Sequence, residues 1–423
     1  MRGFLLTIAV CGALGAQERP DLTIEEAEEI ALRNHPRIAA AQAAEKSIRE
    51  GVAQANAAMK PLLAFNTSGS LSEHGTLLGA GQLPPQGLYS RLGTGLAVSQ
   101  TVFDGGRSRL LASAAQARAG AQSERANAVR LEIRLRAREA YYRALQAQRQ
   151  LAAVRGNLEL RRITLQQVSA LARSNLRSTL DVSFAELNMA EAEVLLNRAE
   201  NDVRASEVEL DAALGLTSGR RYTLRDPAGE PAAPGAADEM VTKALAQRPE
   251  LAALRMQIQA SRKQAQSEGR QLWPGVSLVG AGGYFPAHDK KIHPSYAAVG
   301  ANITIPILTG GLFDSRRREA EFRAEAETQE LRDLEVRIAR EVRLAWVAVD
   351  NARRRLELTA KVVAQAERTL KLAQTRYDLG LASIVELGQA QLSRTAGEVD
   401  AAAARYEYLR ALNTLDYQVG KAR

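Results

Sequence analysis

Apolar side chains recur along this chain with two different periods, and each period predicts a different kind of element. The segments from Gly106 to about Arg173 and from Gly311 to about Asp378 contain no proline, so each predicts a helix of roughly 65 residues, about 100 Å long. In the second segment pairs of side chains recur every seven residues, which is the spacing of a coiled coil. These pairs are Ile338/Val342, Ala345/Val349, Ala352/Leu356, Thr359/Val363, Ala366/Leu370 and Ala373/Tyr377. In the first segment Arg161 interrupts the equivalent series.

Two shorter stretches in each half of the chain have a period of two. Leu96 and Val98 alternate with small or polar residues, and Ala301 and Ile303 do the same, as expected for strands. Strands about ten residues long with one apolar face are typical of a transmembrane β-barrel. A two-stranded hairpin packed on helices is the alternative. The predicted strands are about 62–71, 91–103, 275–285 and 297–308.

The two halves are copies of one pattern. Residues 105–215 align with residues 310–420 without a gap, and the alignment pairs Gly105 with Gly310, Ala140 with Ala345, Ser178 with Ser383, Leu187 with Leu392 and Gly215 with Gly420. Because two copies are too few for a solenoid, we expect a duplicated fold that is completed by oligomerisation. The predicted organisation is a first repeat at 17–216, a linker at 217–239 and a second repeat at 240–423, with helical hairpins at about 106–214 and 311–419.

Each long helix is predicted to end in a tight turn before the chain returns. Asn175 and Gly380 occupy equivalent positions, and they are the residue types that most readily adopt the left-handed conformation that ends a helix. The residues that follow predict helix caps. Ser383 and Glu386 predict a full capping box, and the first copy has a shorter variant that ends in Asp181.

Residues 1–16 predict a secretory signal peptide. Arg2 precedes the apolar stretch Phe4–Ala16, which has small residues near its end. Cys11 is the only cysteine, so signal cleavage would leave no disulfide or thiol chemistry. A lipoprotein would instead require cleavage before Cys11, where Val10 is bulkier than the small residue expected. No later run approaches the roughly 20 apolar residues of a membrane helix.

Charge and motif content argue against several function classes. The formal net charge is +8, but the arginines alternate with glutamates along the helices, which is typical of a solvated helix face rather than of a nucleic-acid surface. No nucleophile elbow, phosphate loop or His/Cys cluster is present, so no catalytic or cofactor site is predicted. His74, His288 and His293 lie in the loops between strands, where nothing sets the geometry of metal ligands, and no metal site is predicted.

These features, in this order, resemble the TolC-type outer-membrane efflux channel family over essentially the whole mature length. They are the two-copy layout, the strand-to-helix junctions Phe103–Gly106 and Leu308–Gly311, and the segment Tyr377–Ser383 followed by Glu386 and Leu387. The resemblance implies a mainly α fold with transmembrane β-strands, in which each repeat has a long helical hairpin and a β-hairpin. It also implies a homotrimer with a shared twelve-stranded barrel that continues as a helical periplasmic tunnel. Shared closure is also required physically, because an open sheet edge in lipid leaves backbone groups unpaired.

The function implied by the resemblance is passive export. Such a channel lies in the outer membrane of a Gram-negative-type bacterium, contacts its lipid, and extends into the periplasm. It receives drugs, small molecules or polypeptides from an inner-membrane pump through a periplasmic adaptor, as part of a tripartite efflux or type I secretion system. A periplasmic coiled-coil scaffold without a pore is the alternative. The sequence does not specify the cargo or the partner pump.

The resemblance also assigns a gate at the helix tips. By position, Asp181 and Tyr377 match a hydrogen-bonded pair that holds the tips closed, and Glu386 matches an inward-facing acidic ring. Plain helix capping is the alternative role of Asp181 and Glu386.

Other tip positions depart from the family pattern. Gln389 replaces a second acidic ring, and Leu180 and Ala382 replace a polar pair that helps to lock the gate, so the closed state is expected to be less tightly held. The tips themselves are expected to dock the adaptor. The residues assigned to this docking surface are Asn175, Leu176, Arg177, Gly380, Leu381 and Ala382.

Overall fold

The computed structural model of the chain describes residues 21–71, 77–78, 86–87, 90–217, 222–227, 233–290 and 293–421. Several predicted features lie outside these residues. They are the signal peptide at 1–16 with Cys11, the loop histidine His74, and parts of the linker.

Helices account for most of the described chain, and two of them are 67 residues long. The helices are α1 (Ile24–Asn34), α2 (Pro36–Ala57), α3 (Arg107–Arg173), α4 (Thr179–Ala213), α5 (Ala237–Gln247), α6 (Pro249–Gly269), α7 (Leu312–Asp378) and α8 (Ile384–Val419). No helix in the described ranges is both long enough and apolar enough to cross a membrane.

Four long strands form one antiparallel sheet, in the order β2-β5-β7-β8. Two further pairs are only two residues long, a parallel pair of β1 with β6 and an antiparallel pair of β3 with β4. The strands are β1 (Asp21–Leu22), β2 (Leu62–Ser70), β3 (Leu77–Leu78), β4 (Gln86–Gly87), β5 (Arg91–Phe103), β6 (Thr223–Leu224), β7 (Gly275–His288) and β8 (Ser295–Thr304).

Two element boundaries differ from the sequence-based expectation. The strand expected over about 297–308 ends at Thr304, because Pro306 lacks the N–H group that a continuing ladder needs. The linker expected at 217–239 contains β6, which pairs with β1, and the first residues of α5. Part of this linker is therefore regular structure.

The chain divides into two compact units. The helical unit holds the described residues of Met1–Pro36, Arg130–Glu239 and Val342–Arg423, and the strand unit holds those of Arg37–Val129 and Met240–Glu341. The long helices α3 and α7 therefore contribute to both units. The four-stranded sheet belongs entirely to the strand unit.

In the helical unit, the two long helices bury equivalent stripes. The buried equivalents are Ala137/Val342, Ala144/Val349, Ala147/Ala352, Arg161/Ala366 and Val168/Ala373. Their common spacing follows the sequence repeat and packs one side of each long helix into the unit. Near the turns, an apolar group that we call the tip cluster forms around this stripe. It consists of Val168, Ala185, Ala373, Tyr377, Ile384, Leu387 and Ala390.

A buried polar layer adjoins the tip cluster. Asn157 on α3 donates to Thr395 on α8 over 2.6 Å, and Gln391 on α8 donates to Thr164 on α3 over 3.1 Å. On the α3 side, the buried guanidinium of Arg161 donates to the backbone carbonyl of Asn188 on α4. These bonds join α3 to both α4 and α8.

Candidate gate and channel lining

The two helical hairpins turn in the same way. Asn175 and Gly380 have φ angles of 57° and 73°, the left-handed conformation expected for these positions. In each turn two backbone N–H groups donate back to the last helical carbonyls, with Leu176 donating to Leu171 over 2.9 Å and Leu381 to Arg376 over 2.8 Å. Both turns are therefore Schellman motifs that close the long helix.

A complete capping box starts the returning helix of the first hairpin. The Ser178 hydroxyl accepts from the Leu180 N–H over 3.1 Å, and the Ser178 N–H donates to Asp181 Oδ2 over 3.4 Å. This satisfies helix N–H groups that would otherwise lack partners. Asp181 thus has the capping role that the sequence left as the alternative to a gate bond.

The second hairpin has only half of this arrangement, which corrects the expected full capping box. The Ser383 hydroxyl accepts from the Glu386 N–H over 3.2 Å. The Glu386 carboxylate does not return to Ser383 but lies 3.5 Å from the Arg376 Nε on α7. An ion pair across the turn therefore replaces the reciprocal hydrogen bond.

Tyr377 lies in the tip cluster and is 3% exposed. Its hydroxyl is buried and has no hydrogen-bond partner among the described residues, so the expected bond from Tyr377 to Asp181 is not formed within the chain. Burial raises the pKa of Tyr377; the charge of Arg177 opposes this shift, whereas Asp181 and Asp378 add to it. The phenol is consequently a protonated donor, and an unsatisfied buried donor costs about 1–3 kcal/mol.

Arg177 makes a polar contact between the two tips, in addition to the apolar contacts of the tip cluster. Its guanidinium lies over the Tyr377 ring, 4.4 Å from the ring centroid, and donates to the Tyr377 carbonyl over 2.8 Å. The sequence assigned Arg177 to adaptor docking and gave no sign of this contact, because the contact depends on how one hairpin packs on the other. The remaining docking candidates are mainly on the surface, and Leu176 and Leu381 are exposed.

The strand unit presents two chemically different sheet faces. Cross-strand partners share a face in an antiparallel sheet, so the register assigns each side chain. One face, the apolar face, carries Leu63, Phe65, Leu92, Leu96, Val98, Leu278, Val299, Ala301 and Ile303. The other, the small-residue face, carries two larger apolar side chains, Leu62 and Val279, and otherwise Ala64, Asn66, Ser68, Gly93, Gly95, Ala97, Ser99, Ser277, Ala281, Gly283, Ala298, Gly300 and Asn302.

The apolar face has no covering within the strand unit. Phe65, Val299 and Ile303 are 70%, 91% and 63% exposed. Tyr284 lies on this face near the loop end of the sheet, and Trp273 precedes β7 at the end joined to the helices. An apolar band bordered by aromatic rings is the pattern of strands that contact lipid.

At the helix-joined end, Asp104 starts the first long helix. Its carboxylate accepts from the Gly106 N–H over 3.1 Å and from the Ser108 N–H over 2.7 Å. Partial burial acts to raise the pKa of Asp104, but these hydrogen bonds and the charge of Arg107 lower the pKa below its ordinary value. The adjacent Gly105 and Gly106 have positive φ angles, which turn the chain from strand to helix.

The two loop histidines within the described residues have local partners. His288 Nδ1 lies 2.9 Å from the Asp289 carbonyl oxygen, and His293 Nδ1 lies 3.3 Å from that of Ser295. Across the ranges that the structure describes, no group of three His, Cys, Asp or Glu side chains is arranged to hold a metal ion.

Sequence comparison places the chain in a family. Residues 29–216 and 240–421 match the family model described as Outer membrane efflux protein. Since the match covers most of the chain, the protein belongs to the outer membrane efflux protein family, and the resemblance drawn from its sequence is confirmed. Its location is the outer membrane, and its task is transport. A transport function excludes the alternative of a periplasmic coiled-coil scaffold without a pore.

Individual relatives extend the comparison. The chain is 24% identical to the alkaline protease secretion protein AprF of Pseudomonas aeruginosa over 405 residues, covering 92% of this chain and 83% of that protein. It is 23% identical to the outer membrane efflux protein BepC of Brucella suis, covering 79% of this chain and 73% of that protein. The fold matches the CmeC outer membrane channel of Campylobacter jejuni with a TM-score of 0.79 and 17% identity, over 94% and 85% of the two chains. The expected mainly α fold, with two long helical hairpins and four long strands in each chain, is therefore confirmed.

Proposed function

We propose that three copies of this chain form an outer-membrane exit duct. A twelve-stranded barrel would be continued by a helical tunnel and gated at the helix tips. The observation that carries this proposal is the four-stranded sheet with its bare apolar face and two open edges, β2 and β8. In lipid each unpaired edge group costs several kcal/mol, so the edges require strands from other copies. The small-residue face then lines the lumen.

The internal repeat supports the same assembly for the helices. Val208 on α4 is 67% exposed, whereas its equivalent Asn413 on α8 is buried; Val362 on α7 is 54% exposed, whereas its equivalent Asn157 on α3 is buried. The helices α3 and α8 meet within one chain through the polar layer, and α7 and α4 carry the equivalent unused faces. We infer that α7 of one copy packs on α4 of the next.

The gate would combine the tip contacts of each chain. Arg177 holds the Tyr377 backbone, and the unpartnered Tyr377 hydroxyl supports a role as a hydrogen-bond donor in another state of the tip. Asp181, whose charge acts on Tyr377, is the acceptor that we propose. Glu386 would contribute its carboxylate to the constriction, where Arg376 partly balances the charge.

The exposed leucines of both turns would contact a periplasmic adaptor, and an inner-membrane pump would supply the cargo. AprF is a secretion protein for a protease and BepC is an efflux protein, so both protein secretion and efflux have precedent among the relatives. Transport rather than catalysis is the proposed function.

Planar bilayers test the duct directly. Purified protein is expected to give single-channel conductance without a partner, and Tyr377→Phe combined with Asp181→Ala is expected to increase it. Protein that assembles and inserts but never conducts would contradict the proposed function. Unchanged conductance in the double variant would instead mean that Asp181 serves only as a helix cap.

Cross-linking tests the helix contacts between copies. In a Cys11→Ser background, Val362→Cys with Ala190→Cys is expected to link neighbouring copies into dimers and trimers on a denaturing gel. Asn157→Cys with Thr395→Cys is the matched control, because these equivalent positions already touch within one chain and should link without a change in mass. Only monomeric product from both variants would contradict the proposed packing.

A further inference from the structure

Two aromatic rings lie together on the small-residue face, near the loop end of the sheet. Phe285 and Tyr296 stack with their ring centroids 4.9 Å apart and their planes inclined by 26°. The Arg91 guanidinium lies over the Phe285 ring, 5.4 Å from its centroid. Both rings are half-buried, whereas Arg91 is exposed.

Glycines form the floor beneath these rings. A Cβ atom at Gly95 or Gly283 would lie 2.6 or 2.7 Å from the Tyr296 hydroxyl, and one at Gly93 would lie 2.8 Å from the Phe285 ring. Cβ atoms do not approach other atoms so closely. At Gly95 and Gly283 the added Cβ would also lie 2.4 Å from the Gly282 carbonyl oxygen and 2.2 Å from that of Thr94, so a larger residue there would disturb the paired strands as well as the Tyr296 ring, whereas at Gly93 it would displace the Phe285 ring. The three glycines therefore let both rings lie close against the sheet.

Charge distinguishes this cluster from the rest of the small-residue face. Along the described strands, that face otherwise carries mainly Ala, Gly, Ser, Thr and Asn side chains, with Leu62, Val279 and His288 as exceptions, and Arg91 is its one permanently charged group. Arg91 forms no ion pair with a described residue, and its guanidinium lies over the Phe285 ring. Its hydrogen-bond donors are therefore available to an anion.

We propose that Arg91, Phe285 and Tyr296 form a lumenal subsite for aromatic anions. The guanidinium would pair with a carboxylate or sulfonate through its planar set of donors, while a ring of the passing molecule stacks on the aromatic pair. The subsite rests on the proposed function, because that function makes the small-residue face the lumen. Three copies would give a ring of three such sites near the outer mouth.

Conductance block by a pair of probes tests the subsite. Naphthalene-2-sulfonate and methanesulfonate carry the same charge, but only the first has aromatic rings. We expect naphthalene-2-sulfonate to block at a concentration roughly twofold to tenfold lower, since an aromatic pair contributes about 0.5–1.5 kcal/mol. Equal block by the two probes in conducting channels would overturn the subsite, whereas a complete absence of conductance would contradict the proposed function instead.

Substitutions then test whether the block occurs at these residues. Arg91→Gln and Tyr296→Leu are each expected to raise the concentration of naphthalene-2-sulfonate needed for half-block. Lys290→Gln is the matched control, because it removes an equal charge just after β7 and is expected to change nothing. Block that is lost equally in Lys290→Gln, or kept in Arg91→Gln, would overturn the proposal. If a variant fails to assemble, the comparison of the two probes on the unsubstituted channel still tests the proposal.

Discussion

The two long helices place opposite chemistry at one equivalent position. Arg161 on α3 and Ala366 on α7 are both buried in the repeated stripe. Arg161 is accommodated because Asn188 offers its carbonyl and Glu191 lies 3.4 Å away, itself half exposed. The equivalent residues on α8 are Ser393 and Ala396, which offer no carboxylate. The same backbone repeat therefore packs through polar contacts in one copy and through a small apolar side chain in the other.

Placing an arginine at the equivalent position of the second copy should have the largest effect on stability. Ala366→Arg buries a charge with no carboxylate at the equivalent of Glu191, so we expect a loss of about 3–5 kcal/mol or failure of the second hairpin to fold. The loss of stability is measured as the shift in the thermal unfolding midpoint, monitored by circular dichroism in detergent. Ala366→Leu is the control for added size. An unchanged midpoint in Ala366→Arg would show that the stripe of α7 admits charge.

Removing the arginine from the first copy should cost less. Arg161→Ala loses the bond to the Asn188 carbonyl and leaves a cavity, and we expect destabilisation of about 2–4 kcal/mol. The adjacent Arg162 is exposed, so Arg162→Ala should stay within about 0.5 kcal/mol. Similar midpoints for the two variants would mean that the polar layer contributes little to stability.

Substitutions in the two turns are expected to change the free energy of unfolding by a smaller amount. Gly380→Val forces a branched residue into a left-handed conformation and should cost about 1–2 kcal/mol, because open space surrounds the position and leaves only the backbone penalty. We expect impaired export in cells with normal assembly. Asn175→Gly is the matched change in the other turn and should be neutral or slightly stabilising. Normal export with Gly380→Val would exclude this turn from docking.

The strand-to-helix junctions differ by one cap. Asp104 caps α3, whereas the equivalent residue before α7 is Thr309, and Asp104→Ala should cost about 1 kcal/mol. The lowered folded pKa of Asp104 means that its contribution is full above the unfolded pKa and is lost as pH falls through the folded value. Parent and variant midpoints should therefore differ at pH 7 and converge as the pH falls below the ordinary pKa of an aspartate. A difference independent of pH would rule out a contribution from the carboxylate charge.

The smallest structural effect is expected at the second tip. Glu386→Gln breaks an exposed ion pair with Arg376 and should change stability by less than about 1 kcal/mol. Because we propose that this carboxylate contributes to the constriction, we expect weaker cation preference in bilayers nonetheless. Unchanged selectivity in Glu386→Gln would remove it from the ion path.

The features that depend on period and on backbone conformation could be predicted from the sequence. The repeat, the long helices, the strand parity and the left-handed turns follow from residue spacing and from Gly or Asn at the two helix ends. Pro306 was also visible in the sequence, yet the predicted strand ran past it because the apolar alternation continued to Leu308.

The partner of each polar side chain, in contrast, depends on tertiary packing. Glu386 lies against Arg376 rather than returning to Ser383, and Arg177 covers Tyr377 rather than facing the surface. These contacts join elements distant in sequence, and several partners were chemically equivalent before packing brought one of them near. Arg161 is the same case, because its burial was tolerable only once α4 supplied the Asn188 carbonyl. Periodicity places a side chain on a face, but the free energy of a polar contact depends on what the opposite face presents.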